Sequence, residues 1–326
     1  MDYVAFGKTG IRVPPVCLGT GTFGKEADEA AALALMDQAF DAGICFFDTA
    51  NIYNKGRTEQ IVGKWLRNRR NAVILASKVH FPTGDGPNDR GSSRRHILME
   101  VDKSLARLGT DWLDVLYLHH WDSQTPLEET LSALTTLVEK GKVHYCGVSN
   151  FAAWQVMKAV ATAKSGGFAP IICMQPMYNL VKRQAEVELL PMAASEGLAV
   201  CPYNPLAAGL LTGKYSRGEK GRLDENEMYK ARYADPAYVD VAKRFVAYAN
   251  DRGQSPAALA TAWVMSHPAV TSAIIGARNP EQLEDTLGCV DITLSEEEWS
   301  EIAGLSTEPP PATDRTEERL PGKGMK

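Results

Sequence analysis

The chain has 326 residues, 44% hydrophobic and 23% charged, with a formal net charge of -5 at pH 7. This length and balance suit one large α/β barrel or two smaller domains and argue against a nucleic-acid partner, since no basic stripe stands out. There is no membrane-length apolar run and no charged-then-apolar start, so a cytoplasmic protein with no membrane partner is expected. The six cysteines (Cys17, Cys45, Cys146, Cys173, Cys201 and Cys289) sit mostly in apolar runs and read as small buried hydrophobes. No CxxC or Cys/His cluster has metal spacing, so no metal is expected.

Strand-like and helix-like runs then alternate. VCLG at 16–19 leads to a helix near 27–42, ICFFD at 44–48 to one near 57–67, and VILASK at 73–78 to one near 93–108. VLYLH at 115–119 precedes a helix near 126–140, VHYCGVS at 143–149 one near 152–164, and IICMQ at 171–175 one near 184–196. AVCPY at 199–203 leads through a long connection to helices near 236–266, and TSAIIG at 271–276 to a helix near 280–288. Thr125-Pro126-Leu127-Glu128 and Ser295 with Glu298 read as capping boxes, Ser255-Pro256 and Asn279-Pro280 as cap-then-proline starts. Gly43, Gly109, Gly141 and Gly197 close helices. Eight such units, with strands apolar on both faces, predict a (β/α)8 TIM barrel, class α/β, as a single domain over 1–326. An open doubly wound sheet is the alternative, but GTGTFG at 19–24 lacks the dinucleotide-binding glycine spacing and opens no helix. Residues 3–13 read as an N-terminal hairpin, the barrel fills about 16–290, a final helix spans about 295–304, and 306–326 form an extended C-terminal tail. The polar connection at 212–235 is too long to be idle.

Chemistry in a barrel gathers at the C-terminal ends of the strands. Asp48, Lys78 and His119 end the second, third and fourth predicted strands, and Tyr53 follows Asp48 on its loop. Reduction of a carbonyl needs a proton donor for the developing alkoxide. A phenol beside an ammonium is expected to have its pKa lowered toward that task, with Asp48 holding Lys78 and His119 orienting the carbonyl oxygen. His120 is an alternative to His119, since neighbouring strand residues point opposite ways. Ser149 and Asn150 end the fifth strand, Gln175 the sixth and Tyr203 the seventh; hydroxyl and amide groups suit a carboxamide and an aromatic face suits a flat ring. PLAAGLLTGK at 205–214 offers backbone N–H groups and Lys214 to a pyrophosphate. Gly276-Ala277-Arg278, in the last βα loop, opens the helix near 280–288, where an anion is favoured.

These strings together resemble the aldo-keto reductase family, whose Asp–Tyr–Lys–His tetrad matches Asp48, Tyr53, Lys78 and His119 in order and local context. The resemblance covers about residues 3–305 and implies NADPH/NADP+ as cofactor, a small-molecule carbonyl substrate, and Tyr53 as general acid. It assigns the cofactor to Gly19, Thr20, Asp48, Ser149, Asn150, Gln175, Tyr203, Asn204, Pro205, Leu206, Gly209, Leu211, Lys214, Gly276, Ala277, Arg278, Gln282 and Asp285. Some members carry a lysine and a second arginine where this chain has Gly276 and Gln282, which leaves NADH open. Phe23, Phe81, His120 and Trp121, with Met177 and Tyr178, are candidates for the substrate pocket; Lys230 and Arg232 read more readily as solvated loop charges than as an anion site. A sugar or polyol dehydrogenase and a non-catalytic cofactor-sensing subunit are the competing functions. The oligomeric state is not legible.

Overall fold

Ten strands form in the computed structural model, which describes residues 1–319. Val4–Ala5 (β1) and Arg12–Val13 (β2) pair antiparallel as the expected hairpin. Val16–Gly19 (β3), Phe46–Asp48 (β4), Ile74–Val79 (β5), Leu113–Leu118 (β6), Val143–Ser149 (β7), Ile171–Gln175 (β8), Ala199–Val200 (β9) and Ala273–Ile275 (β10) are all parallel, in the order β10-β3-β4-β5-β6-β7-β8-β9. The seam between β9 and β10 is closed by backbone bonds: Thr271 N–H donates to the Val200 carbonyl (2.8 Å) and Ile274 N–H to that of Pro202 (2.8 Å). The sheet is therefore a (β/α)8 barrel, its strands joined by long crossover connections that carry the outer helices.

Alternation along each strand sorts the side chains. One set faces the helices and joins the large outer core; the other fills the barrel with Cys17, Phe46, Ala76, Val115, Tyr117, Cys173, Ala199, Cys201 and Ile274. The hairpin plugs the N-terminal end of this interior: Phe6 is fully buried and meets Phe46 edge-on at 5.7 Å. Gly147 in β7 keeps the interior closed by having no side chain, since a Cβ there would lie 2.4 Å from the Cys173 sulfur and 2.8 Å from the Tyr117 ring. Gly147→Ala is expected to cost about 1–3 kcal/mol by overpacking. Chemical denaturation would show it as a lower midpoint, and an unchanged midpoint would mean that the interior can yield.

The helices start and stop for local reasons. Ser255 and Asn279 cap Pro256–Met265 and Pro280–Leu287, each with proline in the first turn, and Ser295 with Glu298 forms the capping box of Glu296–Ala303. Gly43, Gly109, Gly141 and Gly197 all take positive φ at helix ends. The box expected at Thr125 does not form. Pro126 itself is the N-cap of Leu127–Glu139, and the Thr125 hydroxyl donates instead to Asp122 (2.7 Å), which also accepts from the Ser92 backbone (2.7 Å). The seventh strand is shorter than expected, because Pro202 has no N–H to give to a ladder; Tyr203 makes only isolated bridges to Met177 and Ile274. The 212–235 connection is folded rather than irregular, with short helices at Arg222–Glu225 and Glu227–Arg232.

The last helix is pinned by paired indoles. Trp263 and Trp299 stack at 5.2 Å with 6° between planes, and each N–H donates to the other's backbone carbonyl at 3.2 and 3.0 Å. Residues 320–326 of the expected tail lie outside the described residues. Among the described residues no helix is long and apolar enough to cross a membrane.

Candidate active site

The inward-facing parity of the strands continues to the barrel's C-terminal rim. Asp48 follows Phe46 by two residues, Lys78 follows Ala76, His119 follows Tyr117, Ser149 follows Gly147 and Gln175 follows Cys173. These five side chains form the top layer of the interior. The same parity decides between the two adjacent histidines: His119 is 9% exposed at the base of the cleft, whereas His120 is on the opposite parity and is exposed.

Lys78 is fully buried, and its three N–H bonds all have acceptors: Asp48 Oδ1, the Thr49 carbonyl at 2.9 Å and the Tyr53 hydroxyl oxygen at 3.2 Å. The other Asp48 oxygen accepts from Gln175 Nε2 at 2.9 Å. An ammonium can only donate, so the Tyr53 oxygen must accept from Lys78. Among the described residues the phenol's own hydrogen then has no protein acceptor, which leaves it for the cleft that Tyr53 lines.

Charge in this layer follows from burial. Burial pushes the Tyr53 phenol above its ordinary value, and the Lys78 ammonium pulls it down by less than that. The expected lowering is thus corrected: in this state Tyr53 keeps its proton more firmly than a free tyrosine. Burial alone would weaken the Lys78 ammonium, but Asp48 and the Tyr53 oxygen more than offset it and the net direction is up. Burial, then the Lys78 cation and the neighbouring His80 and His120, hold His119 well below the usual imidazole range, so it is neutral. Among the described residues His119 Nδ1 is buried without a partner. An orphaned N–H costs more than an orphaned lone pair, which assigns the proton to Nε2. His119 packs edge-on to Phe81 at 4.8 Å and to Tyr53 at 6.0 Å.

Tyr53, Asp48 and His119 open onto a cleft of about 780 Å³. At its deep end Ser149 Oγ donates to the Gln175 carbonyl (2.9 Å), Asn150 Nδ2 to the His119 carbonyl (2.9 Å), and the Tyr203 hydroxyl to Asn150 Oδ1 (2.8 Å). Gly19, Asn204, Pro205, Leu206, Gly209 and Gly276 carry the lining onward. At the far end it is bordered by Ala277, Arg278, Gln282 and Asp285 with Lys214. Gln282 Oε1 accepts from the Arg278 backbone N–H (3.1 Å), and Asn279 caps the helix that follows. Arg278 also meets Glu225 at 3.1 Å, which joins the last βα loop to the long connection. Burial, then the Arg278 and Arg222 cations, lower the Lys214 amine, as expected where like charges converge.

Five sequence candidates fall elsewhere, Tyr178 among them. Thr20 is fully buried and donates to the Asp48 carbonyl (3.0 Å), so it supports the strand end instead of lining the cleft. Leu211 and Phe23 are in the core. Trp121 turns away against Phe151 and Trp154 at 5.3 and 5.6 Å. Of the remaining pocket candidates, Phe81, His120 and Met177 line the cleft and Tyr178 is buried against Trp263. Arg217, Arg222 and Tyr229 line it without having been anticipated. Their signal was present as basic and aromatic residues within 212–235, but no local pattern shows which face of that connection turns inward. Arg232 lines the cleft too, contrary to its reading as a solvated charge, while Lys230 pairs at the surface with Glu227 (3.9 Å).

A family model described as Aldo/keto reductase family matches residues 15–307. The uncharacterized oxidoreductase YrpG of Bacillus subtilis is 42% identical over 313 residues, covering 91% of this chain and 93% of the relative. A probable voltage-gated potassium channel subunit beta of Oryza sativa is 37% identical over 309 residues, covering 90% and 92%. The L-glyceraldehyde 3-phosphate reductase of Escherichia coli K12 is 35% identical over 318 residues, covering 93% and 91%. Members of the matched family use nicotinamide cofactors and act on small carbonyl compounds. With its closed barrel and its rim of buried acid–base groups, the chain is an oxidoreductase of the aldo/keto reductase family.

Proposed function

We propose that the protein reduces aldehydes and ketones to alcohols with NADPH, Tyr53 supplying the proton. The observation that carries this reading is the saturated Lys78 ammonium, which leaves the Tyr53 hydrogen aimed at the cleft. The donor set fits the cofactor. Among the described residues Gln175 Oε1 has no protein partner, Tyr203 offers a ring face, and Lys214 with Arg278 offers positive charge for phosphates. When bound, the nicotinamide supplies a hydride to the carbonyl carbon. His119 Nε2–H holds the carbonyl oxygen, Tyr53 gives its proton to that oxygen, and Lys78 stabilises the phenolate left behind. Asp48 keeps Lys78 charged in place.

Arg278 is the proposed anchor for the 2′-phosphate. Its Glu225 partner is half exposed, so the pair is weak and open to exchange. Arg278→Ala is expected to weaken NADPH by about tenfold or more while NADH changes by less than about threefold, because the guanidinium fork contacts only the extra phosphate. Parallel fluorescence titrations decide it; equal losses would move the phosphate site elsewhere. A second reading, a cofactor-binding subunit with slow turnover, draws on the relatives named as probable channel subunits. Tight NADPH binding without turnover across an aldehyde panel would favour it over the reductase.

A further inference from the structure

Five cations line the cleft, and their partners differ. Arg217 meets Glu219 at 2.7 Å, Arg222 meets Glu26 at 3.8 Å and Arg278 meets Glu225 at 3.1 Å. Lys214, beside Arg278, belongs to the phosphate end. Like Lys214, Arg232 has no carboxylate within 4.0 Å among the described residues, but it lies beside Tyr203 and Tyr229 and not beside Arg278. Its guanidinium lies 6.0 Å from the Tyr203 ring centre and 5.2 Å from that of Tyr229, with Met228 Sδ at 3.8 Å from one nitrogen. Tyr203 is bonded to Asn150 at 2.8 Å, and Asn150 to the His119 carbonyl at 2.9 Å. Arg232 is therefore linked, through one aromatic ring and one amide, to the histidine proposed to hold the carbonyl.

From this arrangement, and resting on the reductase reading, we propose that Arg232 recognises an anionic group, carboxylate or phosphate, on the carbonyl substrate. Of the carboxylates on the cleft wall, Asp48 is spent on Lys78 and Gln175, Glu219 on Arg217, and Asp285 lies at the opposite end near Gln282. None neutralises Arg232. The two tyrosine rings lie within cation–π range of the guanidinium, a modest interaction, and the one N–H turned to Met228 Sδ (3.8 Å) meets only a weak acceptor, so a guanidinium with five N–H donors keeps others for a planar or tetrahedral anion. Arg232 is partly exposed, so recognition should weaken with added salt.

The test compares kcat/KM for para-carboxybenzaldehyde against its methyl ester, and for para-formylphenyl phosphate against benzaldehyde, with NADPH titrated into each protein in parallel. In the unmodified protein the charged member of each pair should be preferred by about tenfold, a charge-assisted bond in a part-exposed site. Arg232→Gln should bring the charged-to-neutral ratio close to one, and Lys230→Gln, which removes an equal charge outside the cleft, should not. The arm with the larger ratio identifies carboxylate or phosphate as the better ligand. A ratio that survives Arg232→Gln, or an equal loss of NADPH affinity in that variant, overturns the proposal; the second result would give Arg232 to the cofactor. Failure of every aldehyde to turn over, or of NADPH to bind, would instead overturn the reductase reading beneath it.

Discussion

Tyr53→Phe is expected to lower kcat for carbonyl reduction by about 10²- to 10⁴-fold, the range for removing a positioned general acid. NADPH affinity should stay within about threefold, because the ring that lines the cleft is retained and only the oxygen held by Lys78 at 3.2 Å is lost. The reason for so large an effect is the direction of one hydrogen. All three Lys78 N–H bonds are occupied, so Lys78 cannot take the phenol hydrogen, which is left for the cleft where the proposed substrate would sit. Burial raises the Tyr53 pKa above the ordinary phenol value. The protonated, active form therefore persists through neutral and mildly alkaline pH, and the loss of rate with rising pH should come above the range of a free tyrosine. Steady-state rates over a pH series, with parallel NADPH titration, measure both effects. Retained turnover with lost NADPH affinity would remove Tyr53 from the proton-transfer role.

Asp48→Ala is expected to destabilise the fold by about 3–5 kcal/mol, since it strands the Lys78 ammonium in the barrel interior without its counter-charge. The side chains of Lys78 and Asp48 are 0% and 3% exposed, so solvent cannot substitute for the missing carboxylate. Asp48→Leu combined with Lys78→Met should recover much of that stability while reduction stays lost, because apolar groups of similar size satisfy the packing and not the chemistry. Denaturant midpoints and single-turnover rates on the same variants separate the two roles. Recovery of turnover in the double variant would show that the pair is structural only. The pH dependence follows from sign. Lys78 binds its proton more tightly in the fold than in the unfolded chain. Its contribution is fully present below the ordinary lysine pKa and is lost as pH rises through the raised folded value, so the gap between wild type and double variant should be flat across neutral pH and close only in strong alkali.

The architecture was legible because its signals are local and repeated. Continuous apolar runs recur eight times, cap residues and closing glycines mark several of the helices between them, and each follows from backbone sterics and short-range hydrogen bonding that need no knowledge of the rest of the chain. Asp48, Tyr53, Lys78 and His119 were legible for the same reason, since each sits at or just past the end of such a run; the choice of His119 over His120 was settled by the structure, where His119 shares the inward parity of Val115 and Tyr117. The tertiary structure decided what depends on distance and dielectric. Burial reversed the expected shift of Tyr53, because desolvation outweighs the nearby ammonium once the walls close around both. Thr20, Leu211, Phe23 and Trp121 turned out of the cleft, since a loop residue carries no periodicity to fix where its side chain points. The inward turn of Arg217, Arg222, Tyr229 and Arg232 came likewise from packing between elements remote in sequence, such as the Arg278–Glu225 contact across 53 residues. Sequence alone determined the barrel and the acid–base groups on its rim, because backbone periodicity sets both; which charges face the cleft, and how firmly each holds its proton, required the folded environment that sets their solvation.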